Sequence, residues 1–323
     1  MTVYRAGREA RNLSSCFLFP LNDSFPLCKD VLSYIFQVQC GARFFRRAAF
    51  DAEIVRKEVT GRVGSMLPVQ GLTDRRRMDI LYIVIPAYNE EANIGDVIES
   101  WYPIIEKHNG GGQSRLVIID DGSRDRTLEI MQEAAKTRPL LVPLTKENKG
   151  HGATVLYGYK YALREGADFI FQTDSDGQTL PEEFEPFWER RNEYDLIAGW
   201  RRGRQDGFSR KVITTVLRGM VKFTFGLDLR DVNVPYRLMK AETLRKWIGL
   251  VPPDFNLTNI AVMAIFGKVG ARILSIPVTF RPRQGGKSTV NVRKIGGIGV
   301  QALRDFRKLN RAIDRAIEYR DIE

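Results

Sequence analysis

The sequence predicts an α/β protein built on a mostly parallel central sheet with helices on its flanks. Three observations carry that expectation. Short apolar runs rich in β-branched residues alternate with helix-length segments, the mark of repeated strand–helix–strand crossovers. The runs show no polar alternation, as strands buried on both faces require. Polar clusters follow the runs directly, and open parallel sheets bind ligands beyond the carboxyl ends of their strands.

The elements follow in order. Residues 80–86 (ILYIVIP) form the first strand, ended by proline, and 91–108 form a helix before the loop of Gly110, Gly111 and Gly112. Residues 115–121 (RLVIIDD) form a second strand ending in two carboxylates, and Ser123 reads as the N-cap of a helix running to 137. A third strand at 140–145 leads through a glycine-rich turn to a helix at 152–165, and 168–174 (DFIFQTD) is a fourth strand ending in acid.

Composition sets limits. The 323 residues include 50 Lys and Arg against 39 Asp and Glu, a formal charge of +11 that favours an anionic partner. Only two histidines and three cysteines are present, too few for a His/Cys metal centre, and the odd cysteine count suits a reducing, cytosolic compartment. No uninterrupted apolar stretch is long enough to cross a bilayer. Residues 1–78 differ from the rest: Cys16 to Phe45 is aromatic and apolar but broken by charges, and arginine clusters follow. They read as a poorly structured extension or a stretch upstream of a start at Met66 or Met78, as a membrane-surface anchor, or as an Arg-rich targeting peptide.

Four clusters carry chemistry. PAYNEE (86–91) puts Tyr88, Asn89, Glu90 and Glu91 on the sheet rim, or simply opens a helix with acids that complement its dipole. DDGSRDRT (120–127) turns at Gly122, projects Asp120 and Asp121, and lets Asp125 cap or brace the next helix. NKGHGAT (148–154) offers a backbone that can approach phosphate or ribose at Gly150 and Gly152, with His151 between them; a tight turn with a solvated histidine is the plainer reading. QTDSDGQ (172–178) crowds Asp174 and Asp176 at the end of a buried strand, costly unless a cation or ligand neutralises them. Mg²⁺ or Mn²⁺ suits such a pair, because it takes one or two carboxylates plus diphosphate oxygens.

In this order and at these spacings, IPAYNEE, VIIDDGSRDRT, ENKGHGAT and QTDSDGQ resemble the family 2 glycosyltransferases of GT-A fold, over roughly residues 80–310. The resemblance implies a Rossmann-like sheet holding a UDP- or GDP-sugar. Pro86, Tyr88, Glu90 and Asp121 would then meet the base and Asp174 the ribose side, with Asp120, Lys149, Gly150 and Ser175 completing the donor site. Asp176, with Asp174, would hold the metal that bridges the diphosphate and acts as a Lewis acid. It also implies a donor half at 79–180 and an acceptor half at 181–290, followed by 291–323, which reads as a terminal amphipathic helix.

On the acceptor side, DVNVPYRLMK (231–240) resembles the segment that carries acceptor residues in polyprenyl-phosphate sugar transferases, with Asp231 and Arg237 as its polar members; a buried strand with a paired Asp–Arg is equally compatible. The region 252–264 supplies a general base in many relatives that act on hydroxyls, yet here it offers only Asp254, Asn256 and Asn259. A phosphate acceptor is already an anion and needs no base, so the expected acceptor is a polyprenyl phosphate. A saccharide hydroxyl with Asp254 or Asp231 as base is the alternative. FRPRQGGKST (280–289) gathers Arg281, Arg283, Lys287 and Ser288 around two glycines, a compact site for the acceptor phosphate or a solvated basic loop.

Finally, Val300, Leu303, Phe306, Leu309, Ile313 and Ile317 recur every three or four residues among Arg304, Arg307, Lys308, Arg311 and Arg315. This basic amphipathic helix packs on the catalytic domain or lies on an anionic membrane from the cytosolic side. A nucleic-acid partner is not expected, since no basic–aromatic module occurs. A catalytically idle membrane adaptor is a second rival, opposed by the retained Asp174 and Asp176.

Overall fold

The computed structural model describes residues 2–4, 78–201, 208–282 and 295–320. All fall in one unit, Met1–Arg8 with Arg77–Glu323. Arg283, Lys287 and Ser288 lie outside the described residues, as does most of the 1–78 segment.

Eight strands make one sheet: β1 (Thr2–Tyr4), β2 (Leu81–Ala87), β3 (Arg115–Asp120), β4 (Leu141–Thr145), β5 (Phe169–Thr173), β6 (Leu196–Arg201), β7 (Tyr236–Lys240) and β8 (Ile273–Val278). Their spatial order is β1-β8-β6-β7-β5-β2-β3-β4. β2, β3, β4 and β5 are parallel, as are β6 and β8. β7 runs antiparallel between β5 and β6, so β6 and β8 point the same way as β5. The carboxyl ends of β2 to β6 and of β8 therefore share one rim, and the segment entering β7 starts there too. β1 pairs antiparallel with β8 at the sheet edge. Thr2–Tyr4, at the start of the N-terminal segment, thus form an edge of the sheet.

Eight labelled helices surround the sheet: α1 (Ile94–Lys107), α2 (Thr127–Ala135), α3 (His151–Arg164), α4 (Glu185–Glu189), α5 (Phe208–Phe225), α6 (Ala241–Trp247), α7 (Thr258–Lys268) and α8 (Ile295–Arg320). Ile83 and Phe171 are register partners on one sheet face, where Trp101 of α1 packs against Phe171 with ring centroids 5.3 Å apart. The opposite face carries Val84 and Ile119, and α3 approaches it closely. A Cβ on Gly158 would stand 2.4 Å from a Val84 methyl, so only glycine allows this contact. Helix α7 is buried along nearly its whole length, which explains its apolar, acid-free sequence.

One expectation changes, and one pair of alternatives is decided. Ser123 does not cap the following helix, which starts at Thr127; instead Asp125 accepts from the Thr127 N–H and hydroxyl at 3.0 and 2.5 Å. In α8 the apolar stripe packs inward, with Ala302, Phe306, Leu309 and Ile313 buried and Phe306 5.6 Å from the Phe225 ring of α5. That stripe is consumed by the core and is not free to enter a membrane. Among the described residues no helix is long and apolar enough to cross one.

Candidate active site

The rim of the sheet is built by cross-stitching two loops. The Asn89 N–H donates to Ser123 Oγ at 2.9 Å, and Asn89 Oδ1 accepts from Arg124 N–H at 2.8 Å. Glu90 N–H donates to Thr127 Oγ1, Glu91 N–H to Asp125, and Arg126 N–H to Glu91. Much of the polar content of YNEE and SRDRT thus fixes the loops to each other. Asn89 adopts a φ of 53°, the one non-glycine residue with positive φ among those described, a conformation held by this stitching.

Asp120 and Asp121 divide the work. Asp120 is buried and closes its own turn, accepting from Ser123 N–H at 3.0 Å and Thr145 Oγ1 at 2.8 Å. Asp121, 3% exposed, accepts from Lys149 N–H at 3.0 Å, Gly150 N–H at 2.9 Å and the Lys146 ammonium. Burial pushes its carboxyl pKa up, but the bonds from Lys146 and the Lys149 backbone prevail and hold it below the usual range. This corrects the expectation for the glycine-rich turn. The N–H groups of Lys149 and Gly150 are engaged by Asp121 rather than open to phosphate. Gly152 likewise serves packing, since its Cβ would lie 2.3 Å from the Phe255 carbonyl oxygen.

A cleft of about 630 Å³ opens on this rim, a volume suited to a small-molecule ligand. It gathers Pro86, Tyr88, Glu90, Asp121, Gly150, Asp174, Ser175 and Asp176 from four separate loops. Of the expected donor residues, Asp120 and Lys149 lie outside its walls. Asn89, Asn148, His151 and Thr154 also line it, and these were not among the donor residues expected from sequence. His151 Nε2 lies 3.1 Å from Asp174 Oδ1. Its side chain is half exposed; partial desolvation in the cleft lowers the imidazole pKa, but the charges of Asp174 and Asp176 outweigh this and raise the value. Behind Asp174, Gln172 Nε2 stands 3.4 Å from the same oxygen, while Gln172 Oε1 accepts from the buried Tyr159 hydroxyl at 3.0 Å.

Asp174 also lines a second, smaller cavity of about 200 Å³ with Gly177, Thr179, Trp101 and Arg281. Arg281 is tied to the Asp174–Gly177 loop by two bonds of 2.8 Å, from its N–H to the Gln178 carbonyl and from Gln178 Nε2 to its own carbonyl.

The acceptor-side pair is reassigned. Asp231 is held by Arg201 at the end of β6, through Nε and Nη2 at 2.8 and 3.0 Å. Arg237 is fully buried, and its guanidinium donates to the carbonyls of Asn259, at 2.6 Å, and Val234. Its guanidinium is thus engaged by backbone carbonyls rather than by Asp231. Asp254 is exposed on the loop before α7 and lines neither cavity. The signal for Arg201 was present, as an apolar run (LIAGW) ending in arginine, but its partner lies 30 residues away.

Comparison with known proteins decides the family. The model of Glycosyl transferase family 2 matches residues 82–246, about half the chain. The chain belongs to this family. It is a glycosyltransferase. Among its relatives, the undecaprenyl-phosphate mannosyltransferase of Micrococcus luteus is 29% identical over 68% of this chain and 89% of the relative. The undecaprenyl-phosphate 4-deoxy-4-formamido-L-arabinose transferase of Edwardsiella ictaluri is 26% identical over 69% and 67%. For the transferase of the same name from Pectobacterium atrosepticum, 30% identical, the match spans 47% of the relative's length. Glucosyl-3-phosphoglycerate synthase from Mycobacterium tuberculosis, solved with Mn²⁺, UDP and glucosyl-3-phosphoglycerate, shares the fold. Its TM-score is 0.52 at 18% identity, covering 72% of this chain and 80% of that one.

Proposed function

We propose that this glycosyltransferase moves a sugar from a UDP- or GDP-sugar to a polyprenyl phosphate at a membrane surface. The observation that carries the reading is the position of Asp174, in the wall of both cavities. The larger cleft, with Asp121 and the Pro86–Glu90 loop, suits the nucleotide. The smaller one, with Arg281 bonded to the same loop, puts a cation where an acceptor phosphate would approach the sugar. Division of the catalytic domain into a donor half at 79–180 and an acceptor half at 181–290 follows from the same reading.

Among the described residues no group of three or more metal-binding side chains is assembled. Two carboxylates, Asp174 and Asp176, are nevertheless what Mg²⁺ or Mn²⁺ needs when diphosphate oxygens complete its shell. A cation held there would neutralise the departing nucleotide diphosphate. His151 and Gln172 hold Asp174 Oδ1 in place, and the Gln178 N–H, 3.2 Å away, holds Asp176 Oδ1. The phosphate oxygen of the acceptor attacks as an anion, by direct displacement with inversion. The positions expected to supply a base for a hydroxyl acceptor do not offer one, which supports this acceptor: α7 carries no acid, Asp231 is engaged by Arg201, and Asp254 lies off both cavities. The names of the relatives support it independently.

The test is incubation of the protein with polyprenyl phosphate, Mg²⁺ or Mn²⁺, and labelled UDP- and GDP-sugars. Acid-labile label extracted into organic solvent, and lost in Asp176→Ala, is the expected result. Label found only in water-soluble or polymeric product would overturn the acceptor and favour a saccharide hydroxyl.

A further inference from the structure

Helix α8 concentrates positive charge on its outer side. Its inner face is committed to the core through Ala302, Phe306, Leu309 and Ile313. Arg304, Lys308, Arg311 and Arg315 are spaced four, three and four residues apart. At 3.6 residues per turn they project within a sector about 60° wide, opposite the packed face and ~16 Å long. Arg307 borders the same sector, and all five are exposed.

Several cations in or beside other helices have acids next to them. Arg126 pairs with Glu129, Lys136 with Glu133, Lys246 with Glu242, and Arg218 and Lys222 share Asp228. On α8 the acids are turned to other partners. Asp305 accepts from Gln301, and Asp314 pairs with Lys268 of α7. Among the described residues no carboxylate bonds to any of the five cations, and Glu318 alone brings an acid into their sector. A row of like charges repels itself, and a flat array of anions removes that repulsion.

We propose that this outer edge of α8 is a docking strip for an anionic lipid bilayer, which it grips by charge alone, with no apolar side chain inserted. The choice of a bilayer over another polyanion rests on the lipid-phosphate reading of the acceptor, whose anchor lies in a membrane. Polybasic surfaces gain from each cation near an anionic leaflet, and the gain decays within a Debye length.

The experiment is flotation of the full chain with two kinds of vesicle, phosphatidylcholine alone and three parts phosphatidylcholine to one part phosphatidylglycerol. The parent is expected to float only with the anionic vesicles and to be released at about 0.5 M salt. A variant carrying R304Q, R307Q, K308Q, R311Q and R315Q is expected to bind them at least about tenfold more weakly. Its circular dichroism should match the parent's, because the packed face is untouched. Equal flotation of parent and variant would overturn the proposal, as would equal flotation on neutral vesicles. Binding of a labelled RNA or DNA without vesicle binding would overturn it in favour of nucleic acid. Transfer to a detergent-dispersed polyprenyl phosphate separates the two ideas. Its loss in both proteins defeats the acceptor reading, whereas undiminished binding by the active variant defeats the docking strip alone.

Discussion

Arg201, rather than Arg237, closes on Asp231, through two near-parallel bonds of 2.8 and 3.0 Å. Both side chains are largely buried, and the Arg201 guanidinium also lies over the Phe280 ring at 5.1 Å. The pair therefore braces the ends of β6 and β8 against the segment entering β7. Removing Arg201 takes the two-pronged contact away from a buried carboxylate. Arg201→Ala should lose about 3–5 kcal/mol of stability in denaturant titration. Arg201→Lys should recover only part, since an ammonium cannot reproduce the two-pronged contact. An Arg201→Ala protein as stable as the parent would show that the pair contributes nothing.

The burial of Arg237 separates two arginines that look equivalent in sequence. Arg237→Met leaves the carbonyls of Asn259 and Val234 without their donor, at a cost of about 1–3 kcal/mol. It also removes a buried Nε that has no partner of its own, which offsets part of that cost. The folded fraction should keep the parent's KM for the lipid phosphate. Arg281→Ala should do the reverse, with stability unchanged and acceptor KM raised about tenfold, the weight of one charge-assisted bond. Steady-state kinetics beside thermal melts would distinguish the two patterns; a matched loss of acceptor affinity in both would return Arg237 to the acceptor site.

The contrast shows what the chain's linear pattern makes legible. Buried parallel strands announce themselves as unbroken apolar runs, and the rim clusters follow because ligand-facing loops must follow such strands. Eight of the ten expected donor residues consequently meet in one cleft. Pairings across loops are not legible in this way. Ser123 has a helix-capping identity and spacing, yet its hydroxyl is drawn to the Asn89 N–H, 34 residues away. Asp231 takes Arg201 because β7 is inserted antiparallel between β5 and β6, a topology that no local periodicity encodes. The α8 stripe was legible as amphipathic, but only packing shows which face the core consumes.

Gly152 tests whether the start of α3 is set by packing rather than by ligand approach. A methyl group there would stand 2.3 Å from the Phe255 carbonyl oxygen and 2.5 Å from that of Asn256. The backbone must yield, because neither atom belongs to a movable side chain. Gly152→Ala should therefore destabilise the protein by about 1–3 kcal/mol and shift His151 and Asp174 with it. A raised donor KM and a lowered melting temperature are expected together. A melting temperature equal to the parent's would mean that the 252–257 loop moves aside freely.

Asp121 gives the fold a pH dependence whose sign can be worked out. Its carboxyl is held below the ordinary carboxylate range by Lys146 and by the N–H groups of Lys149 and Gly150, against the opposing effect of burial. A group with a depressed folded pKa binds its proton more readily in the unfolded chain. Its contribution is complete above the unfolded value, near 4, and is lost as the pH falls through the folded value below that. Asp121→Asn removes the charge and sets an amide NH2 against one of the two backbone donors, which bond to different carboxylate oxygens. The variant should be less stable than the parent by about 1–3 kcal/mol at neutral pH, by a constant margin down to about pH 5. Below about pH 4 the margin should narrow, as the parent's own carboxyl protonates. Urea titrations of both proteins across that range would check it. A margin that widens toward acid would mean that the Asp121 carboxyl is raised rather than lowered in the folded protein.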